Sequence, residues 1–342
     1  MSSINEKPEI SPEPIDAMIQ GYRISHILLM AIEKRVFTRL SESKSAKELA
    51  EEMETDPRTT EKFLNVLVTL GLLAKSDKEY TNTVDAETFL VEGKSHYIGN
   101  LVRITVGSNL LFSHLDEVLK NGGSLQEKEG SQEYAFDEVQ ILGHAEGALC
   151  YELPIIFDTL KDVQEFVNAK RILDLGGAHG VYSMAFAQKN PMAEVTLFDL
   201  PHVIEIAKKF IDRYGMNNQI ELVAGDFNND DIGNGYDLVF VSHVFYQKKG
   251  IESVLDKIYG SLNENGAVVL NHWVVNETRT SPRVSVLFDL YISIMNRDHH
   301  CYTVNEYTNL LEEAGFSKLR IFDIQTPPSP SMFIVGKKEA KK

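Results

Sequence analysis

Positive charge is scarce in this chain: 34 lysines and arginines face 50 aspartates and glutamates over 342 residues, for a formal net charge of −16. A polyanionic partner would approach against that field, and the one basic run, Lys337 to Lys342, reads as a solvated tail rather than a binding arm. Nucleic acid is therefore not an expected partner. Cysteine is nearly absent as well. Cys150 and Cys301 give neither a disulfide framework nor a metal-ligand spacing, so no metal is expected and a reducing compartment is. Long apolar runs are missing: none approaches the roughly 18–20 residues of a membrane span, and Met1 to Glu13 lacks the apolar centre of a signal peptide. The expected location is the cytoplasm, with no membrane partner. What remains, 43% apolar residues, is enough for about two domains with a sizeable core.

The chain is organised around Arg171-Ile-Leu-Asp-Leu-Gly-Gly-Ala-His-Gly180. Arg171 to Leu175 is a short apolar run, the glycines permit φ > 0 and close backbone approach, and Tyr182 to Gln188 has helical apolar spacing. This predicts strand, turn and helix, with a ligand on the turn. The dinucleotide fingerprint G-x-G-x-x-G fails, because Ala178 and Val181 stand where its second and third glycines belong. Asp174 puts a carboxylate inside the turn, unfavourable beside phosphate and suited to a cationic or zwitterionic ligand. A second short strand, Glu194 to Asp199, ends in a carboxylate 23 positions beyond Gly176, the spacing at which an acidic side chain reaches ribose hydroxyls. Asp199 is also placed to cap the helix opening at Pro201.

Upstream, an amphipathic helix is expected from Ile15, and Tyr22 to Leu40 carries apolar residues at three- and four-residue spacing. Ser45 and Glu48 have capping-box spacing, and Asp56-Pro57 opens a helix through Leu70. Ala74 to Thr83 suits a β-hairpin wing. Residues 121–137, rich in Gly, Ser, Gln and Glu, read as a linker, followed by helices broken near Pro154. The expected division is a loose 1–14, a first domain over 15–120, linker and connecting helices over 121–165, and a second domain over 166–338.

Several of these phrases together resemble the winged-helix small-molecule O-methyltransferases, class I enzymes dependent on S-adenosylmethionine (SAM). Asp174, Gly176 and Gly180 meet three of four positions of their first motif, D-x-G-x-G-x-G, with Ala178 departing; Asp199-Leu-Pro-His-Val203 matches D-L-P-x-V. Gly225-Asp-Phe227 matches a G-D-F segment, and Leu67 to Leu73 a phrase of the amino-terminal domain. The resemblance implies an α/β, Rossmann-like domain with a mostly parallel seven-stranded sheet. It also implies an all-helical winged-helix dimerisation domain, hence a homodimer, and a small-molecule substrate. SAM, leaving as S-adenosylhomocysteine (SAH), would be held by Asp174, Gly176, Gly177, Gly180, Asp199, Leu200, Asp226, Phe227 and Ser242.

At the position where the family commonly carries a histidine that removes the acceptor's proton, this chain has Tyr246. A phenol with an ordinary pKa of about 10 is a poor base at neutral pH. The bacteriochlorophyllide C-20 methyltransferases of the same family have a tyrosine there too. Three readings stay open: another histidine is the base, the acceptor arrives as an easily formed anion, or Tyr246 orients a carbon nucleophile. The candidates for handling the acceptor are Tyr246, His243 and His272. Asp289, Met295, His299 and His300 are expected at the substrate wall. The acceptor atom, O, C or S, stays open, and the alternative function is a catalytically inactive SAM- or SAH-binding dimeric regulator. A DNA-binding repressor is disfavoured, since the helix after Asp56 offers only Arg58 and Lys62 as cations.

Overall fold

The computed structural model describes residues 10–122, 136–216, 218–247, 249–326 and 329–340. The expectations for residues 1–9 and for most of the linker, 123–135, lie outside them. Two compact units emerge, Met1–Gly107 and Ser108–Lys342.

The first unit runs α1 (Glu13–Glu33), α2 (Val36–Arg39), β1 (Lys44–Ser45), α3 (Ala46–Met53) and α4 (Pro57–Thr69). It continues through β2 (Leu73–Ser76), β3 (Glu79–Asn82), α5 (Val84–Phe89) and α6 (Gly99–Gly107). Its helix starts follow the sequence. Ser45 and Glu48 form the reciprocal capping box, and Asp56 accepts the amide of Thr59 ahead of Pro57. The helix expected to continue to Leu40 is instead broken after Lys34, where Arg35 takes a left-handed φ of 53°. The unit is also not wholly helical: the expected hairpin wing β2–β3 gains β1 along its other edge, in the order β1-β3-β2. Tyr80 in β3, fully buried, donates its hydroxyl to Asn65 of α4 and ties wing to helix. α1 carries an exposed apolar face, with Ile15, Met18, Ile19 and Tyr22 all more than half exposed.

The second unit begins with α7 (Asn109–Phe112), α8 (Leu115–Asn121) and α9 (Glu138–Gly147). A single π-helical turn (Ala148–Glu152) follows, then α10 (Leu153–Leu160) and α11 (Gln164–Val167). The break anticipated at Pro154 takes the form of that π turn. Proline has no N–H to donate and its ring crowds the carbonyl four residues back, so the helix widens just before it rather than stopping. The sheet and its helices then alternate: β4 (Arg171–Leu175), α12 (Val181–Lys189), β5 (Glu194–Asp199), α13 (Pro201–Arg213), β6 (Ile220–Ala224) and β7 (Tyr236–Ser242). After these come α14 (Ile251–Ser261), β8 (Leu262–Trp273), α15 (Arg283–Met295), α16 (Val304–Glu313), β9 (Ser317–Thr326) and β10 (Ser329–Lys337).

The seven strands lie in the order β6-β5-β4-β7-β8-β10-β9. The first five are parallel, and β10 pairs antiparallel with both neighbours. Near-continuous apolar character explains why β4, β7 and the end of β8 are central: Ile172, Leu173, Leu238 to Val241 and Ala267 to Leu270 are all but inaccessible to solvent. Strand order reverses between β4 and β7, the place where an open α/β sheet leaves a crevice at its carboxyl edge. Among the described residues no helix is long and apolar enough to cross a membrane.

Candidate active site

The glycine turn after β4 is built so that nothing larger fits. Gly176 has φ 71°, and a Cβ there would lie 2.7 Å from Val244 in the loop after β7. Gly180, φ 72°, opens α12. A Cβ on Gly177 would meet the Asp174 carboxyl and Leu197 at 2.8 Å each. Asp174 itself is 1% exposed. Its Oδ2 accepts from the Ser183 hydroxyl at 2.6 Å, while Oδ1 has no hydrogen-bond partner among the described residues. Burial, reinforced by the charge of Asp199 and only partly offset by Ser183, pushes its pKa up to about 7. An orphaned, buried carboxylate oxygen beside a turn with no room for a side chain at Gly176 or Gly177 suits the cationic end of a zwitterionic ligand.

Asp199, at the carboxyl end of β5, accepts the amide of Ala178 at 2.8 Å and that of Leu200 at 2.7 Å. Burial raises its pKa and these two amides oppose the rise. A carboxylate offers about four acceptor positions, so two remain for hydroxyl donors. The helix-capping role considered for Asp199 is thus confined to the Leu200 amide. Asp226 is more committed. Oδ1 accepts from the amide and side chain of Asn228, Oδ2 from the side chain of Asn229, and these bonds outweigh burial to hold its pKa low. Lys257 fixes the same loop by donating to the carbonyls of Phe227, Asn228 and Asp230 at 2.9–3.0 Å. Phe227 lies half-buried beside it.

Across the switch point, the chain leaving β7 carries the acceptor candidates. Ser242 accepts from Asn271 of β8. His243 takes φ 56°, a strained conformation for a non-glycine residue and one that concentrates at functional sites. Its amide still donates to the Asn271 carbonyl at 2.9 Å, so the strand pairing is kept while the ring is redirected. His243 Nδ1 stands 2.9 Å from the Tyr246 hydroxyl, and Nε2 lies 3.5 Å from Oε1 of Glu152. Tyr246 is 8% exposed; burial drives its phenol well above the ordinary value, so it is neutral and keeps its proton. Trp273, Phe288 and Tyr291 extend an aromatic wall from these two residues: Tyr246 to Phe288 and Phe288 to Trp273 meet edge-on with ring centres 5.1 and 5.0 Å apart.

Three expectations need correction. His272 does not face an acceptor. It is 1% exposed, and its Nε2 accepts the amides of Val244 at 3.1 Å and Phe245 at 2.9 Å, so it clamps the loop and has no lone pair there for a proton. Asp289 likewise spends Oδ1 on the amide of Cys301. His300 secures the same loop through its backbone, its amide donating to the Tyr246 carbonyl, while its ring lies against Tyr302 with centres 4.2 Å apart. His299 bridges Gln247 and Met295 is half-buried on α15; neither has a contact that assigns it a role.

Four residues escaped the sequence reading. Glu152, on the π turn, receives the Tyr182 hydroxyl of α12 on Oε2 at 2.5 Å. His179, not singled out in the sequence, is 6% exposed and accepts the amide of Val181; burial, with the charge of His144 adding to it, takes its pKa down to about 3. His144 on α9 retains an exposed surface, yet the protein mass around it and the nearby His243 lower it to about 4. Among the described residues, no group of three or more His, Cys, Asp or Glu is placed to hold a metal ion.

Comparison with known proteins gives a consistent picture. Residues 146–317 match the O-methyltransferase domain and residues 17–92 the O-methyltransferase dimerisation domain. An uncharacterized protein of Methanocaldococcus jannaschii is 30% identical, with 93% of this chain and 89% of that protein covered. The tetracenomycin polyketide synthesis 8-O-methyl transferase of Streptomyces glaucescens is 24% identical over 96% of this chain and 97% of its own. Among solved structures, PigF with SAH superposes with a TM-score of 0.84 at 22% identity, covering 96% of this chain and all of that one. A SAM-dependent methyl transferase PigF is known from Serratia.

Proposed function

This chain belongs to the O-methyltransferase family, as a SAM-dependent methyltransferase with its own dimerisation domain, and from that membership we propose that it methylates a hydroxyl on a small planar aromatic molecule. The observation that carries the proposal is the meeting of Gly176 and Val244 at the switch point, which sets the glycine turn directly beside the loop bearing His243 and Tyr246. Asp199 would take the ribose hydroxyls, Asp174 the cationic amino group, and Phe227 with the Asp226 loop the adenine. The bound cofactor supplies an electrophilic methyl group on a sulfonium. The protein's contribution is to hold the acceptor in line with it, where alignment alone is worth several kcal/mol.

Trp273, Phe288 and Tyr291 supply flat apolar surface for an aromatic acceptor. A relative from Streptomyces sahachiroi, 26% identical, is named a 3-hydroxy-5-methyl-1-naphthoate 3-O-methyltransferase, an acceptor of the same class. Tyr246 and His243 handle the acceptor's proton. The reading as a binder without turnover rested on the missing family histidine, and His243, in hydrogen-bond contact with Tyr246, supplies an imidazole to the same place. The exposed stripe Ile15, Met18, Ile19 and Tyr22 on α1, at helical spacing, would pair with a second copy to make a homodimer.

Titration calorimetry with SAM, SAH and NAD tests the proposal. Binding of the first two with micromolar affinity and none of NAD is the expected result, followed by methyl transfer from SAM to members of a panel of hydroxynaphthalenes. Absence of SAM and SAH binding would overturn it.

A further inference from the structure

The unexplained feature of the site is Glu152: a carboxylate, 9% exposed, delivered by an irregular helix turn to the ring of His243. Resting on the reading that Tyr246 and His243 handle the acceptor's proton, we infer that Tyr246, His243 and Glu152 form a proton relay in which His243 is the terminal base and Glu152 its counter-charge.

The hydrogen-bond inventory fixes the direction. Nε2 of His243 faces a carboxylate, which only accepts, so in the neutral ring Nε2 carries the hydrogen and Nδ1 is the acceptor. Tyr246 has one proton to give, and the Trp273 amide at 3.4 Å approaches its oxygen as a donor. The phenol therefore donates to Nδ1 and keeps a lone pair. Tyr246 need not be a base. As the acceptor's O–H bond breaks, its electron pair stays on the acceptor oxygen, which takes the methyl group. The released proton passes to the Tyr246 oxygen while the tyrosine's own proton moves to Nδ1. Tyr246 ends neutral as it began, and His243 becomes an imidazolium whose Nε2–H points at Glu152. After the product leaves, the proton returns by the same path to water.

Glu152 does not touch the acceptor; it is a positioning residue. Its second oxygen is held by Tyr182, so the carboxylate cannot swing away from His243. The other titratable groups around the pair are His144 from α9, His179 from the glycine turn and His272 from β8; burial lowers the pKa of His179 and His272, so neither competes as a cation at neutral pH, and that of the exposed His144 is lowered too. The 3.5 Å gap is wider than a good hydrogen bond and is expected to close when the ring gains charge.

The test uses the full chain labelled with 15N-histidine, observed by long-range proton–nitrogen spectra at pH 8, with His243→Gln to assign the signal. The expected result is an unprotonated Nδ1 and a protonated Nε2 on His243, with loss of that single tautomer in Tyr246→Phe. A protonated Nδ1 in the wild type overturns the relay, whether or not any variant folds. Turnover of hydroxynaphthalenes of graded acidity gives the second readout. Glu152→Gln is expected to lower kcat at least 100-fold for weakly acidic acceptors and by less than threefold for those already ionised at the assay pH, with SAM affinity unchanged. A fall in Tyr246→Phe without one in Glu152→Gln removes Glu152 from the relay but leaves the proton-handling reading standing. Full activity of Tyr246→Phe on the weakly acidic acceptors sinks that reading itself.

Discussion

The Asp199 carboxylate at the end of β5 accepts the backbone amide of Ala178 at 2.8 Å, across 21 residues of sequence. One side chain thus joins two adjacent strand ends and shapes the glycine turn that would receive the cofactor. Asp199→Ala removes that bond and the one to Leu200 along with the acceptor positions for ribose. A drop in SAM affinity of about 100-fold, or roughly 2.7 kcal/mol, is expected by calorimetry. Unchanged affinity would move the ribose site elsewhere.

Gly177→Ala tests the turn from its other side. A methyl group there would sit 2.8 Å from both the Asp174 carboxyl and Leu197, neither of which is a loose surface group. Overpacking of this kind costs about 1–3 kcal/mol, so the urea midpoint should fall. An unaltered midpoint would show that Asp174 can move aside.

Asp174 also writes itself into the pH dependence of stability. Burial pushes its carboxyl up to about 7 in the folded chain, against 3.8 for an unperturbed Asp. Below pH 3.8 both states hold the proton and nothing is gained or lost. Between 3.8 and about 7 only the folded state holds it, so stability falls as pH rises, by up to about 1.4 kcal/mol per unit. Asp174→Asn lacks this fall. Urea unfolding of both proteins from pH 5 to 8 should show the variant gaining on the wild type as pH rises, levelling off above about 7. Parallel curves would mean that the carboxyl is ionised throughout.

The exposed stripe of α1 gives a prediction about assembly. Met18 and Tyr22 are 76% and 66% exposed and lie one turn apart. The double variant Met18→Glu, Tyr22→Glu should convert a dimer to a monomer in light scattering while leaving the circular dichroism spectrum intact. A persisting dimer would place the interface on another face.

Features set by neighbours in sequence could be read from the sequence: the caps at Ser45 and Asp56, the strand-turn-helix around Gly176, and the spacing from Gly176 to Asp199. Features set by backbone partners could not. His272 looked like a pocket histidine because nothing in its own strand shows that the amides of Val244 and Phe245 end on its ring. Glu152 and Tyr182 lay unnoticed for a related reason: each sits in an ordinary helical phrase, and their 2.5 Å contact spans 30 residues. His179, between Ala178 and Gly180, has no neighbour in sequence that singles it out. Only burial distinguishes it.

The π turn before Pro154 is an α-helix with one residue too many. Excising one residue there would return the segment to regular winding and remove the widened turn from which Glu152 reaches His243. A chain that gains or loses a single codon here changes which charge stands behind its imidazole while every residue of the sheet stays in place. The acid–base chemistry of this site is therefore set by the length of a helix as much as by the identity of its side chains.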